Sequence, residues 1–137
     1  MTIAEIIALI GLALGSLSGL RALLQPQWIA DVLKLQADPG RPGGYAEFRA
    51  SFGGLFLLMH LFGIFMMVSD GGFHGAIVAA TISMGWWGAA IGRTISLVAD
   101  NAQNGEGGIN KIWIFLEIVI GSMLLAPMIA VHMTMAG

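Results

Sequence analysis

The sequence contains no cysteine. Disulfide frameworks, zinc–thiolate sites and thiol nucleophiles are therefore excluded. Charge is scarce too: Asp, Glu, Lys and Arg make up 10% of the 137 residues, where a soluble domain carries about a quarter. Hydrophobic residues make up 57%, which leaves too little polar surface for the chain to stay dissolved. Six Lys and Arg against eight Asp and Glu give a net charge of −2. No basic patch faces water, so nucleic acid is excluded as a partner. Also absent are a Ser/His/Asp set, a His-x-x-x-His pair, a phosphate loop, a haem motif and a dinucleotide fingerprint. The residue patterns thus lean against an enzyme and imply no cofactor and no metal. The first apolar segment lacks the basic start of a cleaved signal, and Glu5 stands in its place, so it reads as a retained helix.

What is present are four long apolar stretches, about 3–24, 46–68, 73–98 and 109–132. Each reaches the roughly 20 residues needed to span a bilayer as a helix. In lipid they must be helical, because the backbone finds no water to bond. The expectation is an all-α integral membrane four-helix bundle, one membrane domain over residues 1–137. Thr2 and Glu5 have the spacing of a capping box at the start of the first helix.

The basic residues are distributed unevenly. Arg21, Lys34, Arg41, Arg49, Arg93 and Lys111 all fall at or near two connections, about 22–46 and 97–110. The connection Ser69-Asp70-Gly71-Gly72-Phe73-His74 has none, and neither terminus has any. Short loops rich in Lys and Arg stay in the cytoplasm. The pattern predicts an orientation with both termini on the non-cytoplasmic side of the membrane. Between the first two spans, Pro26 is placed to open a short helix over about 27–37. Trp28, Ile29, Val32, Leu33 and Ala37 recur there at helical spacing, which suits a cytoplasmic interfacial helix. An ordinary structured loop is the alternative. The run Asp38-Pro39-Gly40-Arg41-Pro42-Gly43-Gly44 and the stretch Asp100–Gly108 read as a turn-rich connector and a polar loop.

In this orientation Arg21, Glu47, Arg49, Arg93, Asp100 and Glu117 occupy one slab on the cytoplasmic side. Glu117 lies two turns into the fourth helix, roughly 10 Å below the interface. Ionisable groups at such depth usually face the bundle interior and pair. Arg93 is the first choice of partner, with Arg49 next. The layer of Glu47, Arg49, Arg93 and Glu117 is either a polar site open to the cytoplasm or a set of ion pairs that lock helices together. His60 follows Arg49 by three helical turns on nearly the same face and is either a packing residue or part of that site. Met66, Met67, His74, His132, Met133 and Met135 collect on the outer side. They would suit copper(I), but flexible Met fills apolar gaps without any metal.

Gly11, Gly15 and Gly19 recur every four residues on the first helix, and Thr81, Gly85, Gly88 and Gly92 form a related face on the third. Such faces let backbones approach closely, within one bundle or between subunits. Trp86 and Trp87 lie mid-helix, although membrane tryptophans favour the interfaces as Trp28 and Trp113 do. They serve packing, a hydrophobic ligand pocket or contact with another subunit.

The run Gly43-Gly44-Tyr45-Ala46-Glu47-Phe48-Arg49-Ala50-Ser51-Phe52-Gly53-Gly54-Leu55 resembles the central motif of a family of small bacterial membrane proteins. In that family an acidic residue and an arginine precede an aromatic-Gly-Gly-Leu run at the start of the second helix. Gly92-Arg93 fits its second recurrent feature. The family is a domain of unknown function, similar in layout to the DoxX-like four-helix group. The resemblance implies a four-helix inner-membrane fold with Glu47, Arg49, Gly53, Gly54 and Arg93 as signature positions, and no established activity.

Three functional expectations follow. The leading one is a non-enzymatic accessory subunit of a membrane complex, or a homo-oligomer, whose partners are the lipid bilayer and other membrane subunits or itself. The second is a small transporter or lipid- or small-molecule-binding protein using the Glu/Arg layer. The third, from the DoxX-like analogy alone, is a quinone- or redox-linked membrane partner.

Overall fold

In the computed structural model of the protein the described residues are 1–38, 40, 43–69, 72–100 and 107–136, with backbone alone at 107–110 and 136. Pro39, Arg41, Pro42, Asp70, Gly71 and the polar stretch 101–106 lie outside them. The described residues form five helices and no strand: α1 (Ile3–Leu24), α2 (Pro26–Leu33), α3 (Gly44–Ser69), α4 (Phe73–Ala99) and α5 (Gly107–Ala136).

All but α2 are long and apolar enough to cross a membrane. Only 22–33% of the residues in each spanning window are buried. Leu58, Phe62, Phe65, Ile95, Val98 and Phe115 are each more than half exposed. An apolar exterior of this extent suits lipid as the surrounding medium. The backbone of α5 continues through Pro127, as spanning helices permit.

At the start of α1 the capping box is formed in both directions. Thr2 N donates to Glu5 Oε2 at 2.7 Å, and Glu5 N donates to Thr2 Oγ1 at 3.2 Å. Glu5 Oε1 also accepts from Gly72 N at 3.3 Å, which ties the start of α1 to the residue before α4.

The short helix α2 begins at Pro26 but stops at Leu33, four residues before the end expected from its apolar spacing. Lys34 turns into the left-handed region, φ 57° and ψ 32°, and its N–H bonds back to Ala30 and Asp31. Leu35 N then donates to Ala30 O at 3.0 Å. That closure satisfies the last carbonyls and ends the helix, so Ala37 lies beyond it. A side chain in the left-handed region is strained, and glycine is not. Lys34→Gly is expected to raise stability by about 0.5–1 kcal/mol, net of glycine's greater freedom when unfolded. Thermal unfolding in mild detergent measures it, and a loss of stability would contradict this account of the turn.

Helix α3 contains a π-helical segment, Phe48–Gly54, where Leu55 N–H reaches back five residues to Ala50 O. This wider turn breaks the 3.6-residue phase. The face expected to carry Arg49 and His60 together therefore does not run straight through α3.

The helices group into two compact units, Met1–Gly11 with Met66–Gly137, and Leu12–Phe65. In the first, α4 packs along α5, and Ala8, Met67 and Ala79 form a core cluster with Leu9 against it. Ala76, Ile82, Ala90 and Leu124 are buried there as well. In the second, α2 packs on the π-helical turn of α3, and Leu12, Ala22, Ala30 and Phe48 are buried. The prevalence of alanine in both cores reflects backbones that approach closely.

Candidate functional site

Helices α4 and α5 meet in antiparallel register, and three contacts along their seam define the site. Ser83, fully buried, donates its hydroxyl to Gly121 O at 2.7 Å. Next along α4, the Trp87 indole lies against Gly121. A Cβ added at that glycine would sit 2.8 Å from Trp87 Cδ1 and 2.9 Å from Nε1. Nearer the end of α4, Arg93 Nε donates to Glu117 Oε1 at 2.7 Å. The Arg93 side chain is 24% exposed and that of Glu117 only 6%. At this distance the bond is charge-assisted and short. It supplies the partner that a carboxylate buried in a spanning helix requires.

The pairing is incomplete. Glu117 Oε2 is buried and has no hydrogen-bond partner among the described residues, and neither has Trp87 Nε1. Arg93 engages through Nε. An apolar groove of about 180 Å³ borders the seam, lined by Trp87, Ala90, Ile91, Thr94, Ile95 and Ile118. The arrangement thus combines a fixed ion pair, one open carboxylate oxygen, one open indole donor and adjacent apolar space.

The other sequence candidates belong to the second unit. Arg49 donates from Nε to Leu23 O at 3.2 Å, near the end of α1, and Glu47 is exposed. Arg21 stands over the Trp28 ring, its Cζ 4.3 Å from the centroid, a cation–π contact. His60 is 2% exposed and stacks on Phe56 at 5.4 Å between ring centroids. Its Nδ1 is 2.7 Å from Phe56 O. A carbonyl only accepts, so Nδ1 carries the proton. These contacts make His60 a packed and bonded core residue.

The two glycine faces differ. On α1, Gly11 meets the Leu124 side chain, Gly15 lies directly under the His60 ring, and Gly19 faces the backbone of Leu57 and Gly53. On α4, Gly85, Gly88 and Gly92 face open space, with no described atom within 4 Å of where a Cβ would stand. The close-contact role expected of that second face is therefore not fulfilled by the described residues. Thr81, on the same face, bonds back to Ile77 O of its own helix at 2.9 Å.

Ser83 and Gly121 stood out by no motif. The available signal was the lone glycine in Ile120-Gly121-Ser122, since a glycine within a helix costs about 1 kcal/mol and tends to have a packing reason. Trp86 and Trp87 divide as neighbours 100° apart must: Trp87 applies its ring to Gly121, while Trp86 contributes its Cβ. No family model, no curated protein and no solved structure matches the chain.

Proposed function

We propose that the chain is a multi-pass protein of a bacterial inner membrane, with both termini on the non-cytoplasmic side. In this reading the four spanning helices form one bundle and α2 lies along the cytoplasmic interface. The clustering of Lys and Arg at two connections supports that orientation. The layout is also that of the small four-helix family whose motif residues 43–55 resemble.

Its role is that of a non-enzymatic accessory subunit or a homo-oligomer, associating through α4. The observation that carries this reading is the open glycine face, Gly85, Gly88 and Gly92, on a helix apolar enough to span. Without a side chain there, another helix can approach to backbone distance, where packing and weak hydrogen bonds favour association in lipid. Native mass spectrometry after gentle extraction tests it. A defined oligomer or a heteromeric mass is expected, and Gly88→Leu, which has room in the single chain, is expected to disperse it. A lone chain under every mild extraction would overturn the reading.

A second reading is binding of a lipid or small molecule at Arg93 and Glu117. The open Oε2 of Glu117 and the groove beside Trp87 favour it.

A further inference from the structure

Trp87 Nε1 and Glu117 Oε2 are buried polar atoms of opposite kind. The indole nitrogen only donates, and an ionised carboxylate only accepts. Both belong to the α4–α5 seam: the indole rests on Gly121, and Glu117 precedes Gly121 by four residues, one turn earlier on the same face of α5. Folded proteins leave few buried polar groups unbonded, since each costs desolvation without return. A donor and an acceptor left open on one seam are satisfied together by one group that both gives and takes a hydrogen bond.

The adjoining groove narrows the choice. Five of its six lining residues are apolar, and the sixth, Thr94, has its hydroxyl committed to Ala90 O at 2.7 Å. Its volume of about 180 Å³ is close to that of an apolar cavity of ~150 Å³ that accepts a benzene-sized body. It would hold the head end of a lipid, with the remaining chain lying along Ile91 and Ile95, which are 56% and 61% exposed.

We propose that this seam binds a neutral apolar molecule ending in a hydroxyl, the class of acylglycerols and long-chain alcohols. Its O–H donates to Glu117 Oε2 and its oxygen accepts from Trp87 Nε1. The proposal rests on the second reading above and names the ligand class for it. A phosphate or free carboxylate would place a second negative charge against Oε2. An ether or ester oxygen would accept from the indole but leave Oε2 open. Both atoms are closed from the surface. Trp87 itself lines the groove, so its indole is the side chain that must give way on entry.

The test is native mass spectrometry of the full-length protein in mild detergent, titrated in parallel with dioleoylglycerol, its 3-O-methyl ether and dioleoyl phosphatidic acid. Dioleoylglycerol is expected to be retained about tenfold more strongly than the ether, as the loss of one net hydrogen bond and the strain of an unmet Oε2 require. Trp87→Phe, which removes the N–H and keeps an aromatic ring, is expected to lower the retention of dioleoylglycerol and of the ether alike, because both oxygens accept from Nε1, and to keep the preference for dioleoylglycerol that Oε2 confers. Equal retention of dioleoylglycerol and the ether would overturn the proposal as nonspecific lipid contact. Preference for phosphatidic acid would overturn the ligand class while leaving a binding site, with the Arg93 guanidinium as its anchor. Retention of none of the three would overturn the binding reading itself. The comparison among ligands is made on the unmodified protein, so it stands even if Trp87→Phe does not fold.

Discussion

Replacing Arg93 with leucine is expected to destabilise the fold by about 3–5 kcal/mol, the cost of stranding a buried carboxylate without its counter-charge. The Glu117 side chain is 6% exposed and Oε1 depends on Arg93 Nε at 2.7 Å. The converse change, Glu117→Leu, is expected to cost less, about 1–3 kcal/mol. Arg93 is 24% exposed and its long stem lets the guanidinium turn toward a polar boundary. Removing both charges together, Arg93→Leu with Glu117→Leu, is expected to recover stability to within about 1 kcal/mol of the parent, because the pair's mutual attraction is largely offset by the desolvation of both ions. Denaturant titration of the four proteins in one detergent, followed by helix content, completes the cycle. If the double substitution costs as much as the two single substitutions added together, the two residues are not energetically coupled and the seam has another source of stability.

Alanine at Gly19 or Gly53 is expected to cost about 1–3 kcal/mol by overpacking. At Gly19 a Cβ would stand 2.5 Å from Leu57 N, and at Gly53 it would stand 2.8 Å from Leu23 Cα. Backbone atoms are the obstacle in both places, so no rotamer change relieves the overlap, and the helices must separate. The same substitution at Gly85 or Gly88 is expected to stabilise the single chain by about 0.5–1 kcal/mol, since alanine is the better helix former and the space is open. Thermal unfolding of the four alanine variants separates the two classes. A uniform response, all harmful or all neutral, would show that these glycines do not act through local space.

The contrast between those glycines marks a limit of reading by spacing. Gly11, Gly15 and Gly19 resemble Gly85, Gly88 and Gly92 in the sequence, yet the first set lies against other segments and the second meets no other segment among the described residues. Period alone places residues on one face of a helix. It does not say what lies opposite.

By itself the sequence determined the helical class, the four segments long and apolar enough to span a membrane, and the capping of α1. Observed boundaries Ile3–Leu24, Gly44–Ser69, Phe73–Ala99 and Gly107–Ala136 depart from the expected 3–24, 46–68, 73–98 and 109–132 by no more than four residues. These features are legible because they depend on local composition. Lipid permits only internally bonded backbone, and a capping box is a contact between residues three apart. The meeting of Arg93 with Glu117 was legible for a related reason: depth along each helix follows from residue number, and a buried charge needs a counter-charge.

Tertiary structure decided the rest. It set the π-helical turn at Phe48–Gly54, where Gly53 lies against Leu23 and the 3.6-residue phase from Arg49 to His60 is lost. It fixed the early stop of α2 at Leu33 through the left-handed turn of Lys34. It brought Trp87 onto Gly121 and left Nε1 and Glu117 Oε2 without a hydrogen bond among the described residues. Each of these depends on how closely two segments distant in sequence approach and on which atoms remain unmatched when they do. Such distances are set by the packing of whole helices, and no spacing within one helix encodes them.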